Sequence, residues 1–276
     1  MKLDYGINNS ISNEDYHLDR NFESSSSLKL FLKDSREFYK KYILGEKPDS
    51  KYKSVYDFGS YIHSLILEPE KTDDEFIIFE GLTRRGKAWT EFKENNPDKI
   101  ILTKSQELMA SSLINSYNDN KETEGLIQDG CAEHTLCTEL EGLNIKVRAD
   151  YVKEGWVIDL KTTSDPVDKF SAAKTIIRYD YDLSAALYVD AFNKYTGKEH
   201  DFLFVFLNKQ NNDIAVLKAS DNLLENGRRK YRAAIRGLLN ARKTGIFYKE
   251  GVQEVDLPSW AEFKDDTNTT GLLGES

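Results

Sequence analysis

Residues 145–163, IKVRADYVKEGWVIDLKTT, constrain this chain more than any other stretch. Two short apolar runs, 145–152 and 156–160, flank the turn-like Lys153-Glu154-Gly155, which is the pattern of a β-hairpin. With Glu154 and Gly155 as the loop, residues facing each other across the hairpin have numbers summing to 309, so Asp150 falls opposite Asp159. The strands around them otherwise read Val, Tyr, Val, Ile and Leu. Like charges directly opposite on a sheet are destabilising, and carboxylates removed from water cost more unless they are paired or bound to a metal. Two residues along the same face, Lys161 lies beside Arg148. A Mg²⁺ site would give the two carboxylates and the lysine a purpose. The competing reading is a half-exposed sheet on which Asp150 pairs with Arg148 or Lys161. The hairpin alone leaves both open, because perturbed carboxylates mark function only statistically.

The remaining numbers bound the problem. A chain of 276 residues, 39% hydrophobic and 31% charged, suits one large α/β domain or a core with an added helical part. No apolar run reaches bilayer-spanning length, and the opening MKLDYGINNS has no signal-peptide apolar region. Cys131 and Cys137 have no Cys or His partner at zinc-like spacing, which fits plain thiols in a reducing cytoplasm. The net charge of −9 runs against the basic balance usual for nucleic-acid binding, although a local cationic lining can coexist with an acidic exterior.

Along the chain, residues 1–23 are polar and without a regular period. After Ser24–Ser27, the residues Leu28, Phe31, Leu32, Phe38, Tyr39 and Ile43 predict one helix, capped by Ser26 or Ser27. Lys40 and Lys41 lie on its solvated face. A second helix is predicted over 54–67 and stopped by Pro69. On it Gly59 stands one turn before His63, leaving room for a backbone or a metal to approach the imidazole, although a lone apolar-face histidine is more often a core residue. A short strand over 76–79 precedes Arg84-Arg85-Gly86-Lys87, a cluster able to hold a phosphate and equally readable as a solvated loop. Thr103 caps a helix over 103–118 with Leu108, Met109, Leu113 and Ile114 inward. A strand over 132–141 leads into the hairpin, and its Glu133 is within reach of the acidic face. One or two helices follow over 169–195, then the buried strand FLFVFL (202–207), a partner over 214–217, and a long helix over 222–243. That last helix carries Arg228, Arg229, Lys230, Arg232, Arg236, Arg242 and Lys243, a solvated face or a contact for phosphates. Residues 263–276 read as an acidic, disordered tail.

Gly59-x3-His63-x4-Glu68-Pro69, Arg148-Ala-Asp150, Asp159-Leu-Lys161-Thr-Thr and Tyr181-x6-Tyr188 together resemble the exodeoxyribonuclease VIII (RecE-type) family of PD-(D/E)XK nucleases, which are related to RecB-type nuclease domains. The opening Tyr5-Gly-Ile to Tyr16-His, the Arg84–Lys87 cluster and Leu257-Pro258-x-Trp260-Ala are also similar to that family, so the resemblance covers nearly the whole chain. It implies an α/β, restriction-endonuclease-like core over 1–262, with a central mixed sheet flanked by helices and an N-terminal helical part. His63, Asp150 and Asp159, with the backbone carbonyl of Leu160, would ligate Mg²⁺ or a substituting Mn²⁺, and Glu133 would serve a second ion. Lys161 would orient or activate the attacking water. Tyr188, Ser184, Arg148, Thr162, Arg84, Arg85, Lys87, Arg228 and Arg229 would face the substrate. The sequence departs from the family at Ser184, where the family has a Gln that contacts substrate or positions the lysine. The implied activity is digestion of linear double-stranded DNA from 5′ ends. The implied partners are duplex ends, further copies of the chain in a ring (a tetramer) and a single-strand annealing recombinase, in the cytoplasm of a bacterium or from a phage within it.

Overall fold

The structure, a computed structural model, describes residues 2–46, 53–81, 83–252, 254–258 and 261, so the expected acidic tail lies outside the described residues. In chain order the first half comprises β1 (Gly6–Ile7), α1 (Asn13–Leu18), α2 (Ser25–Lys33), α3 (Ser35–Phe38), α4 (Lys53–Leu67), α5 (Thr72–Glu75), β2 (Phe76–Phe79), α6 (Lys87–Asn95), β3 (Ile100–Thr103) and α7 (Lys104–Asp119). The second half comprises β4 (Gly130–Leu140), β5 (Leu143–Lys153), β6 (Trp156–Thr163), α8 (Lys169–Arg178), α9 (Tyr181–Thr196), β7 (Asp201–Asn208), β8 (Ile214–Lys218) and α10 (Asp221–Thr244).

The main sheet runs β1-β4-β5-β6-β7-β8. Its pairings are antiparallel except β6 with β7, which are parallel from Trp156↔Asp201 to Thr163↔Asn208. A parallel pair needs a long crossover and cover on both faces; α8 and α9 supply the connection, and the unbroken FLFVFL run supplies apolar groups to both sides. Phe202, Phe204 and Phe206 enter one core with Leu183, Leu187, Phe192, Tyr231 and Ile235, while Val205 and Leu207 enter the other with Phe58, Ile62, Leu102 and Leu113. The chain therefore folds as a mixed α/β molecule with a sheet between two helical layers. α9 and α10 lie close together because Gly227 has no side chain: a Cβ there would stand 2.0 Å from the carbonyl oxygen of Asp182.

The hairpin register is the one expected, with Tyr151↔Ile158, Val152↔Val157 and Lys153↔Trp156, and Gly155 supplies the positive φ of 75° that its turn requires. Three other expectations fail for local reasons. The first helix does not run through to Ile43. Its N-cap is Ser24 in a capping box with Ser27, and it stops at Asp34, whose extended backbone and side chain start α3 by accepting the amides of Arg36 and Glu37 at 3.1 and 2.9 Å. On α7, Leu108 and Met109 are exposed, and Ala110, Leu113 and Tyr117 are the buried face. The opening segment, read as polar and without a period, holds β1 and α1 from residue 2 on: β1 pairs with β4, and Leu3, Ile11, Tyr16 and Phe22 form a small core with Cys137. Lys146, itself buried, ties that segment down by donating to the carbonyls of Tyr16 and Asp19 at 2.5 and 2.8 Å.

Candidate metal centre

Asp150 sits where the regular sheet fails. On β5, Ile145, Val147 and Ala149 pack on the α9 side, yet Tyr151 packs on the α4 side, so the two-residue alternation breaks at Asp150. On β4, Ala132 pairs with Tyr151 and His134 with Ala149, which puts Glu133 opposite Asp150. Glu133 has a φ of +47°, a left-handed conformation that costs a non-glycine residue of order 1 kcal/mol or more and clusters at functional sites. Beyond the last β5–β6 pair, Tyr151↔Ile158, the Leu160 amide donates to Asp150 Oδ2 at 2.6 Å. One strand break thus aims two carboxylates at a common point and uses a backbone amide to fix one of them.

α4 brings the third group. The Nδ1 of His63 is 3.6 Å from Asp150 Oδ2. α4 comes this near β6 because Gly59 has no side chain: a Cβ there would stand 3.2 Å from Thr162 Oγ1. Ligand atoms of His63, Glu133 and Asp150 all lie within 4.8 Å of one another, a spread that a cation with oxygen and nitrogen ligands near 2 Å can span. Burial, followed by the Asp150 charge, raises the Glu133 carboxyl to about 7, with Arg148 acting the other way. Two facing acids with an imidazole beside them fit a divalent cation; carboxylates favour Mg²⁺, Ca²⁺ or Mn²⁺. A cleft of about 460 Å³ opens onto His63, Glu133 and Arg148, walled by Asn9, Ser12 and Asn13 of the N-terminal segment.

Asp159 lies outside that trio. Its carboxylate contacts the Lys161 ammonium, which also donates to the Leu160 carbonyl at 3.2 Å. Burial pushes the Asp159 carboxyl up, with Lys161 pulling it down and Asp150 adding to the rise. For Lys161, burial acts downward but is outweighed by Asp159 and Asp150, so the ammonium is held above the ordinary lysine range. The Leu160 carbonyl, expected to face a metal, is here met by the lysine. Tyr188 borders the group: burial, followed by the Asp159 charge, pushes its hydroxyl up to about 12, with Ser25 acting the other way. Ser184 is one turn earlier on α9, partly buried.

The other expected substrate contacts are mostly engaged elsewhere. Arg148 donates to Thr135 Oγ1 at 2.7 Å, Asn13 Oδ1 at 3.3 Å and the Ile11 carbonyl at 3.2 Å, and stacks over Tyr16. It clamps the N-terminal segment to the sheet. Arg84 donates to the Ile101 carbonyl and Gln106, both at 2.8 Å, and covers Trp89, whereas Arg85 and Lys87 are exposed. Arg228 holds Asp190 with two nitrogens at 2.9–3.1 Å, which corrects the reading of that residue as free basic surface. Arg229 is exposed, with Glu225 at 3.7 Å. Sequence reasoning missed Lys29, whose ammonium stands 5.1 Å from the Tyr181 ring centroid while Lys161 stands 5.2 Å from it. Only helical spacing spoke for that position, and it suggested a solvated face.

No curated protein matches the chain. Among solved structures, the crystal structure of a "Putative exonuclease" from Eubacterium rectale superposes with a TM-score of 0.63 at 19% identity, covering 86% of this chain and 87% of that one; at that identity the likeness speaks for the fold. Residues 24–249 match the family model described as "PDDEXK-like domain of unknown function (DUF3799)". That span contains strands β4 to β8, the carboxylates of Glu133, Asp150 and Asp159, and Lys29 and Lys161, and the chain belongs to this PDDEXK-like family.

Proposed function

We propose that the chain is a Mg²⁺-dependent exodeoxyribonuclease that degrades linear double-stranded DNA from 5′ ends. The observation that carries the reading is the convergence of His63, Glu133 and Asp150 within 4.8 Å, with the Asp159–Lys161 pair on its flank. His63, Glu133 and Asp150 hold the ion, and Asp159 adjoins them. A divalent cation bound there polarises the phosphodiester and lowers the pKa of a water. Lys161, gripped by Asp159 and the Leu160 carbonyl, presents a fixed positive charge to the phosphate oxygens and orients the water. Held as an ammonium, it serves electrostatically better than as a base. Asp150 keeps its aim through the Leu160 amide. Tyr188 and Ser184 line the substrate side from α9, and Arg85, Lys87, Arg229 and Thr162 remain available to meet the strand.

The neighbour's printed designation as an exonuclease and the family's PDDEXK-like description support a nuclease reading. The 5′ polarity, a ring of several copies and a single-strand annealing partner in phage-type recombination follow from the resemblance of motifs. No helix of the described residues is long and apolar enough to cross a membrane, consistent with work on DNA in the bacterial cytoplasm. The test uses linear duplex labelled at either end and closed circular duplex, with and without Mg²⁺. Mg²⁺-dependent release beginning at 5′ ends, with circles spared, is the expected result. Cutting of circles would make the chain an endonuclease, and intact linear DNA at saturating Mg²⁺ would overturn hydrolysis altogether.

A further inference from the structure

Among the described residues, the lysines around the centre have partners one by one, except Lys29. Lys161 has Asp159 and the Leu160 carbonyl; Lys230 has Asp180 at 2.6 Å and Asp182 at 2.9 Å; Lys146 has two carbonyls. Lys29 is half-buried on α2, and among the described residues its ammonium has no hydrogen-bond acceptor and no ion pair, only the face of Tyr181 at 5.1 Å. A desolvated ammonium without an acceptor is costly, and a cation–π contact returns only part of that cost. Burial and then the charge of Lys161 draw its pKa down to about 8, the carboxylates of Asp159, Asp180 and Asp182 acting the other way without prevailing.

Its position is built. α2 is fixed by the Ser24–Ser27 capping box and by the buried Ser25, Ser27 and Leu28. The helix therefore cannot easily swing Lys29 into solvent. Over the same ring, 5.2 Å from its centroid, stands the ammonium of Lys161, the residue the proposed reaction places on the phosphate. Two ammonium groups gathered at one aromatic ring repel each other unless an anion joins them.

We propose that Lys29 is a substrate-binding residue that donates to the phosphate backbone at or next to the bond being cut, so that Lys29 and Lys161, gathered at the Tyr181 ring, both meet the DNA strand. The inference rests on the nuclease reading and adds to it a contact from the N-terminal helical layer. It requires no change in the metal ligands. It also gives α2 a reason to pack at the α9 N-terminus beyond filling the core.

The experiment compares wild type with Lys29→Met, which keeps the apolar stem, and Lys29→Arg, which keeps the charge. Thermal unfolding and Mn²⁺ titration calorimetry check fold and metal site. Binding of a fluorescent linear duplex is measured in Ca²⁺ over a KCl series, and cleavage in Mg²⁺. The expected result is unchanged melting and Mn²⁺ affinity in Lys29→Met, a salt slope shallower by about one contact, cleavage reduced about tenfold or more, and recovery in Lys29→Arg. A Lys29→Met protein with the wild-type salt slope and rate overturns the proposal, as does one in which Mn²⁺ affinity or stability falls along with DNA affinity. If wild type binds DNA without cutting it, hydrolysis fails separately, and the salt slope alone decides for or against Lys29. If wild type binds no duplex, both readings fall.

Discussion

Around Asp150, acidic groups from two strands converge, and among the described residues neither Glu133 nor Asp150 has an ion pair with Lys or Arg; Asp150 has only His63 at 3.6 Å. Along α10 the opposite holds: Arg228 is bound to Asp190, Lys230 to Asp180 and Asp182, Arg232 to Glu141 and Arg242 to Glu23. The sequence advertises the basic helix and nearly hides the acidic cluster, yet the helix spends its charges inside the fold while the cluster keeps its own. Charge that has found a partner holds a structure together. Charge left facing like charge, on a strained strand, is available for a ligand.

The sharpest way to break that comparison is Asp150→Asn. The isosteric amide oxygen can still accept the Leu160 amide, so the fold survives, and the metal-free protein should melt no lower than wild type because a repulsion with Glu133 is gone. Mg²⁺-dependent cleavage should fall by about three orders of magnitude, matching loss of several kcal/mol of metal-derived stabilisation; stopped digestion of linear duplex measures it. Lys161→Ala should lower turnover about 10²-fold while Mn²⁺ binding by calorimetry persists, separating charge stabilisation from metal binding. An activity loss matched by metal loss would merge the two roles.

For the helix, effects should appear in stability. Gly227→Ala pushes a Cβ onto the Asp182 carbonyl and should cost about 2 kcal/mol or more as α9 and α10 separate, read by urea unfolding. Arg228→Ala leaves Asp190 with only the Tyr231 hydroxyl at 2.6 Å and should cost about 1–3 kcal/mol, with an unchanged salt slope for DNA binding. A shallower slope at normal stability would return Arg228 to the DNA path. The smallest effect is one of pH. The folded Glu133 carboxyl is raised to about 7 from 4.5, so the folded state binds the proton more tightly, and the stabilisation present at low pH is lost as pH rises toward and through 7. Glu133→Gln should flatten that loss in the metal-free protein.

The hairpin was legible in detail, because the turn glycine and the alternating runs leave one register, and the expected Asp150–Asp159 facing follows from it. What the sequence did not reveal is that the strands part at that point, so that Asp150 turns toward Glu133 and His63 while Asp159 is taken by Lys161. The β5–β6 ladder stops at Tyr151↔Ile158, and the groups that gather there, Glu133 from β4 and His63 from α4, come from other segments, which local pattern does not encode. Arg148 and Arg228 were misread for a similar reason: their partners, Asn13, Ile11 and Asp190, come from other elements. Lys29 was unreadable because a half-buried lysine and a solvated one look alike in a helical period.

The most direct test of the central claim is a crystal grown with Mn²⁺ and measured for anomalous scattering. The account predicts a peak coordinated by His63, Glu133 and Asp150, beside the Asp159–Lys161 pair, that vanishes in Asp150→Asn. A crystal saturated with Mn²⁺ that shows no ion among those three side chains, or places it against other residues, would contradict it.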